Sequence, residues 1–236
     1  MPTPGCGWSS SRLSTGRRWL VLSDFTIVDL ETTGLDPVAG RITEIAARRY
    51  RNGKLSGAMS ALVWAGVDPE PEAIKLNGLT SDNLERHGIT EWQALEMLQK
   101  LLGTSVLVAH NAAFEMAWLN QACWRWQDAP FAQPFLCTKT LAVGLKAGSG
   151  RSYSLKQLTH DYNIVWTGVA HRAMPDVQAT KALLDILCHS EQHFAQAGPL
   201  LTELLNCCGT NPNKALVGAH YPLPAGLPDH AKEVKQ

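Results

Sequence analysis

Apolar and polar residues alternate along this chain with two different periods, and the switch between them marks out its elements. Phe25-Thr-Ile-Val-Asp-Leu is a short, nearly continuous apolar run, the pattern of a buried strand. Ile42 to Tyr50 predicts a second strand after a loop that holds Gly34, Asp36, Pro37 and Gly40. Asn52-Gly53 is the dipeptide of a tight hairpin, because both residues tolerate positive φ, so a third strand ending near Trp64 should run back antiparallel. From there the period lengthens. Glu70 to Leu76, Ser81 to Arg86 and Trp92 to Leu102 carry helical spacing, with Thr80-x-x-Asn83 and Thr90-x-x-Gln93 as N-terminal caps. Val106-Leu-Val-Ala predicts another buried strand, followed by a helix from about Ala112 to Trp126. Cys137 opens a further helix after a short strand, Ser154 caps another, and His171 or a residue slightly beyond it opens a long helix to His189. Antiparallel strands first, then alternating helices and strands, predict an α/β fold with a mixed sheet flanked by helices.

The two ends break the pattern. Residues 1–22 hold Arg12, Arg17 and Arg18 among Ser, Gly and Pro with no acid, which predicts a flexible basic arm, most simply an unstructured leader. Pro222, Pro224 and Pro228 crowd a Pro/Gly-rich tail, 207–236, where regular structure would be short. The stretch between them, 23–206, is expected to be one domain, since 45% hydrophobic residues in a chain of 236 suffice for a substantial core. Cys6, Cys123, Cys137, Cys188, Cys207 and Cys208 lack C-x-x-C spacing, which argues against structural zinc or a disulfide framework and for a reducing, cytoplasmic setting. Cys123, Cys137 and Cys188 fit as small buried hydrophobes. Trp19 to Leu22 is broken at once by Ser23 and Asp24, so no bilayer-spanning run exists and no membrane association is expected. The 21 basic residues balance 21 acidic ones, so affinity for a polyanion cannot come from bulk charge and must be local. Bound divalent cations would supply positive charge at such a place.

Four acids sit where acids are awkward. Asp29 interrupts an apolar strand, among Ile27, Val28 and Leu30, and Glu31 follows two positions on, which puts both carboxylates on one face. Two like charges on a buried face are costly unless a cation holds them; a strand end where both acids reach solvent is the plainer alternative. Val108-Ala-His-Asn-Ala-Ala-Phe-Glu ends a buried strand and puts Glu115 in the first turn of a helix, at the sheet edge where open α/β folds bind ligands. Helix-dipole complementarity alone would also favour an acid there. His171-Arg-Ala-Met-Pro-Asp places Asp176 at the start of the long helix and His171 in the loop before it, off the helical face of Asp176.

Together the three clusters resemble the DEDDh exonucleases, the DnaQ-like branch of the ribonuclease-H-like superfamily. Asp29-Leu-Glu-Thr-Thr-Gly-Leu-Asp-Pro matches the first family motif. His110-Asn-Ala-Ala-Phe-Glu matches the second except at Glu115, where the family usually has Asp, and His171-Arg-Ala-x-x-Asp176 matches the third. Leu76-Asn-Gly-Leu-Thr resembles the segment between the first two, with Asn77 where the family often has His. The resemblance covers residues 24–190 in order and spacing.

It implies a ribonuclease-H-like sheet and a metal-dependent 3′-to-5′ exonuclease that releases nucleoside monophosphates, with Asp29, Glu31, Glu115, His171 and Asp176 as its catalytic residues. Two Mg²⁺ or Mn²⁺ ions are implied, hard cations that carboxylates suit. Asp29 would bridge them, Glu31 and Asp176 would hold the ion that carries the attacking water, and Glu115 would serve the second ion directly or through water. His171 would be the general base, since imidazole titrates near neutrality. Thr32, Thr33, Gly34, Leu35, Leu76, Asn77, Asn111 and Phe114 would line the pocket for a frayed 3′ end, the leucines and Phe114 offering wedging or stacking surfaces, although core packing would equally explain Leu76 and Phe114. Single-stranded DNA 3′ ends are favoured over RNA, in proofreading, repair or end trimming. The alternatives are an RNA 3′-end-processing enzyme and a catalytically weak nucleic-acid-binding accessory subunit. The tail is a candidate docking segment for a polymerase or other protein, and a homodimer is open because some relatives act as dimers.

Overall fold

The structure, a computed structural model, describes residues 8–12, 18–168 and 171–189. The tail 207–236 and residues 190–206 of the expected domain lie outside the described residues. Near the start, β1 (Trp8–Arg12) and β2 (Arg18–Leu22) pair antiparallel, which differs from the unstructured leader that composition predicts. The run Trp19-Leu-Val-Leu is a good strand former whose last residue, Leu22, is buried in the core, and that anchor gives the pairing something to build on.

β3 (Asp24–Thr32), β4 (Ile42–Arg51) and β5 (Lys54–Leu62) run antiparallel as predicted. The turn between the last two carries Asn52 at φ 50° and Gly53 at φ 76°, the two left-handed positions of a hairpin turn whose twist matches its strands. Three helices follow, α1 (Pro71–Asn77), α2 (Ser81–His87) and α3 (Glu91–Leu102). Thr80 Oγ1 accepts from the Asn83 N–H, and Thr90 and Gln93 close a reciprocal capping box, so both threonines act as the spacing predicts. β6 (Val106–Ala109) joins β3 in parallel, α4 (Ala112–Arg125) follows, and β7 (Phe135–Cys137) joins β6 in parallel. α5 (Thr138–Gly144), α6 (Leu155–Asp161) and the long α7 (Ala173–His189) complete the described chain. The sheet order is β5-β4-β3-β6-β7, a mixed sheet that is antiparallel on one side and parallel on the other.

Each face of the sheet has its own core. Phe25 and Ile27 of β3 pack with Leu141, Leu158, Val177 and Leu183 from α5, α6 and α7. Val28 and Leu30 pack with Leu95, Leu98, Trp118 and Leu119 from α3 and α4. Side chains alternate along a strand, so Asp29 and Glu31 continue the face of Phe25 and Ile27, the one that α7 covers. Burial of apolar residues on both sides therefore aims the acids at the first turn of α7. Cys123, Cys137 and Cys188 are free, and burial pushes the Cys123 and Cys188 thiols up to about 12, so both behave as small hydrophobes. Among the described residues no helix is long and apolar enough to cross a membrane.

Candidate active site

Three carboxylates meet where the central strand ends. Asp29 and Glu31 come from β3 and Asp176 from the first turn of α7, and one ligand oxygen from each lies within 4.8 Å of the other two. The register slips between Glu31 and Thr32, where Thr43 of β4 is the extra residue of a bulge just beside the pair. Glu115, in the first turn of α4, stands beside this triad rather than in it. Its charge is the largest like-charge influence on Asp29, followed by Asp176 and Glu31.

Without a cation this arrangement is electrostatically unfavourable. Burial and the neighbouring acids raise the Asp29 carboxyl well above its ordinary range. Burial lifts Glu31 to about 7 against the pull of a hydrogen bond from Asn77, and lifts Asp176 to about 7 against a bond from the His171 backbone N–H. Burial lifts Glu115 to about 8, with the Lys139 charge drawing it partly back. Glu115 Oε2 and Asp176 Oδ1 are buried and have no hydrogen-bond partner. Orphaned buried oxygens on converging carboxylates are what a hard divalent cation satisfies, so the residues present fit such an ion.

The surrounding shell is specific. Asn77, expected in the nucleotide pocket, is buried and donates from Nδ2 to Glu31 Oε2 at 3.1 Å, while its Oδ1 accepts the Leu79 N–H at 2.9 Å. It orients a carboxylate of the triad. His110 is buried and neutral, pushed down to about 4 by burial, and bridges Thr138 Oγ1 (3.0 Å) and the Tyr153 carbonyl (2.9 Å). Since a carbonyl only accepts, Nε2 carries the proton and Nδ1 accepts from Thr138. That bridge ties the end of β6, which leads through Asn111 into α4 and Glu115, to the start of α5. His171 is partly buried with a left-handed backbone, φ 60°, immediately before Arg172 and α7.

The sequence reasoning missed Glu44. It lies directly across from Glu31 on β4, is 3% exposed, and takes Arg172 in a two-pronged ion pair at 2.8 and 3.0 Å. The signal was the one that marked Asp29, an acid inside an apolar strand, Ile42-Thr-Glu-Ile-Ala-Ala.

The expected pocket residues divide by exposure. Leu35 and Leu76 are 76% and 55% exposed, so neither is core. Phe114 is partly buried with its ring tilted against Trp118, centroids 5.9 Å apart, so packing holds at least one side of it. Asn111 precedes α4 but makes no side-chain cap bond. Thr32 Oγ1 donates to the Gly34 carbonyl at 2.7 Å, and Thr33 closes the loop by pairing with Arg41 through backbone and side chain.

A mixed sheet with acids gathered at the end of its central strand and on flanking helices defines a nuclease of the ribonuclease-H-like fold. The family model described as Exonuclease, of the ribonuclease T type, matches residues 26–184, and the chain belongs to the DnaQ-like 3′-to-5′ exonuclease family. Among its relatives, the DNA polymerase III subunit epsilon of Aquifex aeolicus is 30% identical over 156 residues, which is 66% of this chain and 76% of that one. The PolC-type DNA polymerase III of Halalkalibacterium halodurans is 32% identical over 182 residues, 73% of this chain but only 12% of that much longer protein. The crystal structure of E. coli exonuclease I with a dT13 oligonucleotide superposes with a TM-score of 0.67 at 21% identity, covering 82% of this chain and 45% of that one. That likeness shows the fold. The enzyme is thus a phosphodiester hydrolase of a family that depends on divalent metal.

Proposed function

We propose that this chain shortens single-stranded DNA from its 3′ end, releasing nucleoside monophosphates, with Asp29, Glu31, Glu115 and Asp176 holding two Mg²⁺ or Mn²⁺ ions. The observation that carries this is the triad of Asp29, Glu31 and Asp176, whose ligand oxygens gather within 4.8 Å of one another although burial and the neighbouring acids all raise the Asp29 carboxyl. When bound, the ions stabilise charge on the scissile phosphate and on its attacking and leaving oxygens. Asp29 would serve both ions, Glu31, oriented by Asn77, and Asp176 would hold the ion on the side of the attacking water, and Glu115 would serve the other directly or through water. His171 takes the proton of the attacking water, from a loop position that touches Asp176 through its backbone.

Leu35 and Leu76, exposed at the site's margin, separate the terminal base from its neighbour, and Asn111 contacts the terminal nucleotide. DNA is favoured over RNA on the strength of the epsilon subunit and PolC-type relatives, whose names also support a polymerase partner. End-labelled single-stranded DNA and RNA incubated with Mg²⁺ or Mn²⁺ test this directly. Stepwise 3′ shortening of DNA is expected, abolished in Asp29→Ala. Shortening of RNA alone would reassign the substrate, and binding without shortening of either would make the chain an accessory module.

A further inference from the structure

We propose that Glu44 and Arg172 form a clasp that positions His171 for proton transfer, making Glu44 a positioning residue of this reaction. The proposal rests on the reading of His171 as the general base. Glu44 is buried on β4, and both of its carboxylate oxygens are bonded: Oε2 accepts from Arg172 Nε at 2.8 Å and from the Ala173 N–H at 3.2 Å, and Oε1 accepts from Arg172 Nη2 at 3.0 Å. All three bonds come from two consecutive residues, and Glu44 stands outside the triad of converging ligand atoms.

What those bonds fix is the first step of α7. The Arg172 carbonyl accepts the Asp176 N–H at 3.2 Å, so Arg172 is the residue on which the helix starts, and Ala173 N–H is one of the donors that a helix start leaves unsatisfied. A single carboxylate on the sheet thus sets the side chain of one residue and the backbone of the next. His171 is the next residue back, with a left-handed φ of 60° that an ordinary residue holds only when its surroundings impose it. His171 itself is held by the bond from its backbone N–H to Asp176, and the clasp fixes the two residues that follow it, so His171 sits between two anchored points at the start of α7.

Stability alone is a poor reason for such a pair. A buried ion pair is commonly no more stabilising than apolar side chains of the same volume, because desolvation offsets the attraction. Its two-pronged geometry does supply direction, which an apolar contact does not. The pair also lies across from Glu31, where a second unpaired acid would repel it. Arg172 neutralises Glu44 and so lets a fixed acid sit beside the metal-binding acids.

The test is a double-mutant cycle on the full chain with single-stranded DNA as substrate. Glu44→Gln and, separately, Arg172→Gln are made with and without His171→Ala. Arg172→Gln is included because its side chain is 37% exposed and its loss leaves the buried strand position intact. In the His171 background each is expected to lower kcat roughly 10- to 100-fold with KM little changed, the scale of a displaced catalytic group. In the His171→Ala background each should lower kcat no more than about twofold, because the group being positioned is gone. The Mn²⁺ concentration for half-maximal rate should stay put. Full activity of both single variants, additive losses in the His171→Ala background, or a rise in that Mn²⁺ concentration of about 10-fold or more would overturn the proposal, the last by making Glu44 a support of the metals. A wild-type rate in His171→Ala alone would instead overturn the base assignment, and the clasp's catalytic role with it.

Discussion

Glu115 carries one methylene more than the Asp usual at its place, and it ends outside the close triad with one oxygen unpartnered. Glu115 lies in the first turn of α4, a helix that packs on the face of the sheet opposite to α7. Glu115→Asp is expected to change turnover or the Mn²⁺ to Mg²⁺ activity ratio modestly, within about tenfold, in a steady-state assay. Asp29→Ala should leave no measurable cleavage, since the carboxylate that faces every other acid is gone. At this scale the sequence was informative wherever chemistry contradicts surroundings: Asp29 and Glu31 stand out in an apolar strand. Glu44 gave the same contradiction and was passed over, because its explanation, Arg172, lies 128 residues further along the chain. Asn77 was legible as a site residue but not as a partner of Glu31, since nothing local pairs them.

Elements were legible where period and punctuation agreed. The Asn52-Gly53 hairpin and the capped starts at Thr80 and Thr90 follow from single residues whose side chains or φ preferences act locally. Thr90→Ala removes the Oγ1 half of the capping box on α3, leaving the Thr90 N–H to Gln93 bond, and should cost about 1 kcal/mol in a urea unfolding series, with the slope of the transition unchanged. The β1–β2 ribbon was not legible, because composition describes what a segment lacks and the pairing has its anchor in Leu22, whose burial depends on a core built by residues far along the chain. Which face of the sheet each helix covers was likewise beyond the sequence, although it decides that Asp29 and Glu31 look toward α7.

For the whole molecule, the same buried acids make stability depend on pH and metal in opposite senses. Glu31, Asp176 and Glu115 bind protons in the folded state up to about 7, 7 and 8, whereas in the unfolded chain they release them near 4.5 or below. Folded-state carboxyls raised in this way contribute stability that is present at low pH and lost as pH rises through those values. His110 works the other way, held at about 4 against an ordinary 6.5, so its contribution improves as pH rises across that interval. The two effects oppose one another below about 6.5 and leave a clear decline above it. Metal-free protein in chelator should therefore melt at a lower temperature at pH 8.5 than at pH 6.5, and Mn²⁺ should raise the midpoint more at pH 8.5, where the carboxylates need not lose protons to bind it. A midpoint that rises with pH in chelator would contradict the burial of these acids.

The clasp between β4 and the start of α7 has a kinetic consequence. Its two halves lie 128 residues apart, so it is a contact of high sequence separation whose loop-closure cost must be met before it forms. A nascent or partly folded chain thus exposes its acids singly, without the geometry that cuts a phosphodiester. Cleavage needs β3 and the start of α7 brought together, so a refolding time course should show activity no earlier than recovery of native fluorescence.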